Sequence, residues 1–355
     1  MDNIHGGDIY TYQGMLDFSA NISPLGPDPR VIEAMKESLA KIGTYPDVNC
    51  TKLREAIGKR EQVAPEHILC GNGAADLIFS IALALKPKKA LLLAPSFAEY
   101  AQALQTVDCE ITYHHLKEEQ GFRLTRDLFS HLKKELDIIF ICSPNNPTGS
   151  LVEQKLLEEL LEYCEKQKVI LVVDECFLDF LEQPEKSTMK SFLQSKVLLI
   201  LKAFTKMYAL PGVRLGYAMA GDSTILKRIE AVRQPWSVSV VAQAGGIKAL
   251  EDENWPKQVR TYIQEERKYL CQQFQILGVT YYEPAANYIF LKSEQDLFTC
   301  LKEKQILIRD CGNYEGLEKG YYRIAVRTHE ENQRLIQGLG EIYQRGVTNR
   351  WQKQL

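Results

Sequence analysis

Residues 136–174 read LDIIFICSPNNPTGSLVEQKLLEELLEYCEKQKVILVVD. Two apolar runs, Leu136–Cys142 and Val169–Val173, bracket a polar loop and an amphipathic stretch. Each run is of strand length and continuous rather than alternating, as in strands covered on both faces. Between them Leu156, Leu157, Leu160, Leu161 and Cys164 fall on one helical stripe. Ser150 and Glu153 stand in the arrangement of a capping box, so the spacing predicts a helix over 150–168. A strand, a helix and a second strand of these lengths make a parallel crossover unit.

The same rhythm extends outward in both directions. Strand signals over Ile68–Cys70, Lys89–Ala94, Cys109–His114 and Val197–Lys202 alternate with helical patterns over Ala74–Leu85, Pro95–Val107 and Leu124–Lys134. This predicts an α/β fold with a mostly parallel central sheet and helices on both faces. From about residue 246 the texture changes. Long charged helical patterns, Asn254–Phe274 and Glu330–Gln344, flank short strand signals at Tyr288–Leu291, Ile306–Arg309 and Tyr322–Val326. A large domain over 41–245 is therefore expected, with a smaller α+β domain formed by 1–40 and 246–355.

The chain has 355 residues, a net charge of −3, and 45% hydrophobic against 25% charged residues. Apolar residues are plentiful and the net charge is small, which excludes a disordered chain. The near balance of charge offers no basic stripe, so no nucleic-acid partner is expected. No apolar run approaches the roughly 20 residues of a membrane span, so no membrane association is expected. The first residues, MDNIHGGDIY, carry neither a basic nor an apolar leader segment, and no secretory signal is expected. Nine cysteines never fall in C-x-x-C spacing. They predict a cytoplasmic protein with free thiols, no disulfide framework and no metal site.

Ligands of such sheets sit outside the carboxyl ends of the strands, and the conspicuous polar residues cluster there. Gly71-Asn72-Gly73-Ala74-Ala75-Asp76 joins a strand to a helix. Free amides at a helix start favour a phosphate, although a plain tight turn reads the same way. Asp76 stands where a dinucleotide fingerprint needs its third glycine, and no G-K-[ST] follows. Asn145-Asn146-Pro147-Thr148-Gly149 is either a polar loop or an amide placed beside a cofactor. Asp174 ends its strand as a cap, an ion-pair partner, or the carboxylate that a protonated pyridine nitrogen requires. Lys206 follows the next strand, as surface decoration or as a Schiff-base lysine. Arg214, eight residues further on, has the fork that clamps a phosphate. Arg309 and Arg323 sit on short strands of the second domain and together suit a substrate with two anionic groups.

GNGAAD, PSFAEY, SPNNPTG, VVDECF, FTKMYALPGVRLGY and YYRIAVR occur in this order. With them the chain resembles the fold-type I, aspartate-aminotransferase-like enzymes that use pyridoxal 5′-phosphate (PLP), over nearly its whole length. Within that superfamily it is similar to the histidinol-phosphate aminotransferase branch. The N-terminal HGG, DFSANISPLG and ILIRDCGNYEGL bring it closer to the threonine-phosphate decarboxylases of cobalamin synthesis. The resemblance implies that Lys206 is the lysine that binds PLP, Asp174 the partner of its ring nitrogen and Asn146 that of its 3′-oxygen. Phe97 would stack on the ring. The turn at Gly73, the amides of Ala74 and Ala75, Thr205 and Arg214 would hold its phosphate. Tyr45, in TYPD, resembles a tyrosine that reaches this phosphate across the interface of a homodimer. Arg323 would grip the substrate carboxylate, with Arg309 and His5 on a second, phosphate end.

The implied reaction is decarboxylation of O-phospho-L-threonine to (R)-1-amino-2-propanol phosphate. One departure bears on it. Aminotransferases of this branch carry Asp-Glu-Ala-Tyr, and here the segment is Asp174-Glu175-Cys176-Phe177. Phe177 has no hydroxyl to donate, which favours the lyase over an aminotransferase acting on histidinol phosphate or a related amino acid. A catalytically inactive PLP-fold regulatory protein is the reading of another class, and the intact Lys206, Asp174, Asn146 and Arg214 weigh against it.

Overall fold

The computed structural model describes residues 5–132 and 135–353, with side chains up to residue 344. A short strand β1 (Leu16–Asp17) and helices α1 (Pro29–Ser38) and α2 (Thr51–Glu61) precede the main sheet. Then come β2 (Ile68–Gly71), α3 (Gly73–Leu85), β3 (Lys89–Ala94), α4 (Ala98–Gln105), β4 (Glu110–His115) and β5 (Ile138–Cys142). Next are α5 (Gln154–Gln167), β6 (Ile170–Asp174), β7 (Leu198–Ala203), β8 (Gly216–Ala220), α6 (Ser223–Ala231) and α7 (Val240–Glu251). The C-terminal part holds α8 (Asn254–Leu277), β9 (Thr280–Tyr281), β10 (Tyr288–Lys292), α9 (Leu297–Lys302), β11 (Ile306–Leu307), β12 (Arg309–Asp310), β13 (Tyr321–Ala325) and α10 (His329–Lys353).

The main sheet runs β2-β8-β7-β6-β5-β3-β4, with β8 antiparallel to both neighbours and the other six strands parallel. Alternate residues of its strands enter two different cores. Leu91, Ile139, Leu171 and Ile200 face one, and Leu92, Phe140, Val172 and Leu199 the other. That is why the strands read as continuous apolar runs. A third core gathers α8, α10 and the sheet β12-β13-β10-β9, and takes in Phe18, Phe177 and Met207. Strand β1 pairs with β11, which ties the N-terminal segment to this part, while α1 lies against α7.

Three expectations from the sequence are corrected. Ser150 does not cap α5, which starts at Gln154 behind Glu153. Its hydroxyl instead donates to the Phe122 carbonyl at 3.0 Å, and its carbonyl accepts from the Asn145 amide at 2.8 Å, so it ties down the polar loop. The segment after Leu124 forms a 3-10 helix over Arg126–His131 rather than an α-helix, and the end of that expected helix lies outside the described residues. The helix expected from Pro95 starts only at Ala98, behind Phe97 in extended backbone. Strand β8 was not foreseen. Its sequence, GYAMA, is short and rich in small residues with little strand preference.

Register carries the polar residues to one edge. Cys142 pairs with Asp174 and Asp174 with Leu201, so β5 and β6 end together and β7 runs two residues further, to Ala203. Gly71 pairs with Gly216. A Cβ on Gly216 would lie 2.6 Å from the Ala74 nitrogen, so only glycine lets the start of α3 settle onto β8.

Candidate active site

A cavity of about 480 Å³ opens beyond these strand ends, between the main sheet and the C-terminal part. Asp174, at the end of β6, is buried in its wall. One carboxylate oxygen accepts from the Tyr100 hydroxyl at 2.6 Å and the other from the Cys176 amide at 2.9 Å. A buried charge needs such donors. Tyr100 comes from α4, one turn beyond Phe97, and the two rings meet edge-on with centroids 5.6 Å apart.

Lys206 enters three residues past the end of β7. Its ammonium lies 5.4 Å from the centre of the Phe177 ring. Burial, with the charges of Arg323 and Arg214 behind it, lowers its pKa from 10.5 to about 8. At neutral pH it is therefore an amine close to giving up its proton, as a Schiff-base nucleophile must be.

Arg323, on β13, is held rigidly from two sides. One nitrogen donates to the Asn146 side-chain oxygen and another to the Ser19 carbonyl at 2.7 Å. Its Nε is buried without a partner among the described residues. Arg214 closes the opposite end. It lies so close to the start of α3 that a Cβ on Gly73, whose φ is +84°, would sit 2.5 Å from its guanidinium. Ala74, Ala75 and Thr205 line the wall beside it.

Of the residues singled out in sequence, Lys206, Asp174, Asn146, Phe97, Ala74, Ala75, Thr205, Arg214, Arg323 and His5 line this one cavity. Gly73 shapes it from behind. Arg309 does not line it. It is buried on β12, bonded to Asn313 at 2.8 Å, and lines two adjoining cavities that share His5 and Phe97 with the main one. Tyr45 lies outside, 79% exposed and stacked on Trp236 with centroids 4.6 Å apart. Tyr100, Glu99 and Ser19 were not singled out. Their signal lay in the quoted FAEY and DFSAN, where Phe97 and Tyr100 share a helix face.

The aminotransferase class I and II family matches residues 13–339. The chain belongs to this family. Threonine-phosphate decarboxylase of Salmonella typhimurium is 37% identical over 353 residues, covering 96% of this chain and 97% of that one. An adenosylcobalamin biosynthesis bifunctional protein of Leptospira interrogans is 31% identical over 365 residues, covering 96% of this chain and 41% of its own. The crystal structure of histidinol-phosphate aminotransferase from Clostridium acetobutylicum superposes with a TM-score of 0.87 at 28% identity, covering 93% of this chain and all of that one.

As a member of this family the chain is a fold-type I enzyme whose cofactor is PLP. The residues present fit that group. A flat pyridinium phosphate needs an amine, a buried carboxylate opposite, an aromatic face and a cationic phosphate end. Lys206, Asp174, Phe97 and the Arg214–α3 corner supply these in one cavity. Ala74 and Ala75, at the start of α3, line the cavity together with Arg214, the corner where a helix start favours an anion.

Proposed function

We propose that this chain is a carboxy-lyase that converts O-phospho-L-threonine into (R)-1-amino-2-propanol phosphate and carbon dioxide. It would work in the cytoplasm, as a homodimer, in cobalamin synthesis. The observation that carries the reading is Phe177. It stands in the segment after Asp174 where aminotransferases of the branch place a tyrosine, and it packs against the Lys206 ammonium. The 37% identity to a threonine-phosphate decarboxylase along both chains supports it.

PLP, when bound, supplies an electron sink for the bond broken at the substrate Cα. Lys206 would bind it, Asp174 would face its ring nitrogen, and Asn146 its 3′-oxygen. Phe97 would cover the ring. Gly73, Ala74, Ala75, Thr205 and Arg214 would hold the phosphate, with Tyr45 of the partner subunit. Arg323 would hold the substrate carboxylate, its own direction fixed by Asn146 and Ser19. His5 and Arg309 would hold the substrate phosphate at the other end. Two anchored ends leave little freedom of rotation about the substrate Cα, and that rotation selects which bond breaks. For decarboxylation the Cα–carboxylate bond breaks, its electron pair stays with Cα, and carbon dioxide leaves. The Lys206 ammonium would put a proton on Cα in its place.

The second reading is an aminotransferase acting on histidinol phosphate, favoured by the close superposition on such an enzyme. One experiment separates the two. PLP-loaded protein sedimenting as two chains is given O-phospho-L-threonine with no keto acid. The expected result is one carbon dioxide and one aminopropanol phosphate per substrate. No release, with the cofactor converted to its amine form by histidinol phosphate, would establish the aminotransferase.

A further inference from the structure

Among the described residues three carboxylates line the cavity: Asp174 faces the ring nitrogen in the proposed chemistry, Asp17 accepts from the Ser19 amide and hydroxyl, and Glu99 is left without a task. It sits in the first turn of α4 and lines the cavity directly. One oxygen is 3.4 Å from Nδ1 of His5. The other is buried with no hydrogen-bond partner among the described residues. A buried ionised oxygen without a donor is costly, whereas a protonated one is neutral. The groups that face it are His5 from the N-terminal segment, Asp174 at the end of β6, Lys206 beyond β7 and Arg309 on β12. Burial leads in raising its pKa, to about 7, with Asp174 adding to the rise and Lys206 and Arg309 opposing it. Burial and the Arg309 charge together lower that of His5. Near neutrality this corner thus holds a carboxyl group close to its titration point beside a neutral imidazole.

A substrate phosphate delivered next to His5 would meet an ionised Glu99 as a like charge. It would meet a protonated Glu99 as a hydrogen-bond donor. We propose that Glu99 is a specificity-determining residue that takes up a proton when a dianionic group enters the His5 end of the cavity, and so admits a phosphorylated substrate. This rests on the reading of the site as one for an amino acid with a second anionic group. The proton comes from solvent, and no bond other than that O–H forms.

The test uses PLP-loaded protein, whose cofactor already fills the Arg214 corner. Sulfate is the probe, because it is dianionic and does not itself titrate near neutrality. Calorimetry in two buffers of different ionisation enthalpy counts the protons taken up on binding, for wild type and for Glu99→Gln. Wild type is expected to take up protons at about pH 8 and to lose about tenfold or more in sulfate affinity between about pH 6 and pH 8.5. In Glu99→Gln the uptake falls and the loss shrinks, so that at the higher pH the variant binds sulfate more tightly than wild type. Equal proton uptake in the two proteins would overturn the proposal. So would a variant weaker by the same factor at every pH, which would leave Glu99 only orienting His5. Sulfate that neither binds nor competes with O-phospho-L-threonine would overturn it too. Carbon dioxide release is read separately. A protein that releases none yet shows Glu99-dependent uptake loses the lyase reading and keeps the anion-linked proton.

Discussion

Lys202 and Lys206 stand four residues apart, Lys202 buried and Lys206 half-buried in the cavity wall, and their surroundings drive them in opposite directions. Lys202, on β7, donates to Glu61 at 3.2 Å and to Asp179 at 2.9 Å. Glu61 is in turn bonded to Lys190 at 3.0 Å and to the Tyr217 hydroxyl at 2.6 Å. Burial alone would lower the Lys202 pKa, and the Asp179 and Glu61 carboxylates reverse it and hold it well above its usual value. Burial would raise the Glu61 carboxyl, and Lys202 and Lys190 bring it down to about 2. Lys206 has no such set bonded to it: Arg323 and Arg214 repel its charge, and Glu99 answers it only in part. The same side chain is a structural tie where its charge is answered and a reactive amine where it is not.

Removing Lys206 should have the largest effect. Lys206→Met is expected to lower turnover of the PLP-loaded protein on the order of 10⁴-fold and to abolish the absorbance of the lysine-bound cofactor. Turnover near the wild-type rate would move the nucleophile elsewhere. Removing Lys202 should act on the fold instead. Lys202→Met takes the ammonium from the half-buried Asp179 and leaves the buried Glu61 to Lys190 and the Tyr217 hydroxyl; breaking a buried pair costs about 3–5 kcal/mol, and the lower end applies where such partners remain. Urea denaturation is expected to show that loss, while turnover per folded molecule stays within about threefold, since the Lys202 ammonium bonds Glu61 and Asp179, neither of which lines the cavity. A stable Lys202→Met variant, or one folded and inactive, would erase the distinction between the two lysines.

The division between the two lysines was only half legible in sequence. The strands were readable because each is an apolar run buried on both faces, and the strand ends lead to Asp174, the last residue of β6, and to Lys206, three residues past β7. Lys206 was read through its motif. Lys202 passed unremarked inside LLILKA, because its partners Glu61 and Asp179 come from α2 and from the segment after β6, far apart in the chain. Glu99 and Tyr100 were hidden for a similar reason. Phe97 and Tyr100 stand at helical spacing in FAEY, but the partner of Tyr100 and the surroundings of Glu99 are set by what α4 faces after folding. Ser150 misled because a hydroxyl three residues before a glutamate caps a helix only if the backbone between them is helical, and here Thr148 and Asn145 claim it. Arg309 and Tyr45 show another limit. A motif gives the residue type, but in one chain Arg309 stands behind the wall and Tyr45 outside it.

The smallest of the three effects is the most direct reading of the Lys206 environment. In the PLP-free protein its pKa is about 8, against 10.5 for an unburied lysine. Between these two values the unfolded chain holds the proton and the folded chain does not. Stability contributed by this group therefore rises with pH across that window, by about 3 kcal/mol in total. Lys202 is protonated in both states there and contributes no slope. Buried thiols such as Cys142, raised far above its ordinary value, and Cys164, raised to about 12 by burial, pull the other way above the ordinary thiol range. The difference between wild type and Lys206→Met removes them, since both proteins carry them. That difference should favour the variant most at about pH 8 and shrink by about 3 kcal/mol as the pH reaches about 10.5. Parallel stability curves for the two proteins would mean that the Lys206 ammonium is answered in the folded chain as well as Lys202 is, and its reactivity would need another source.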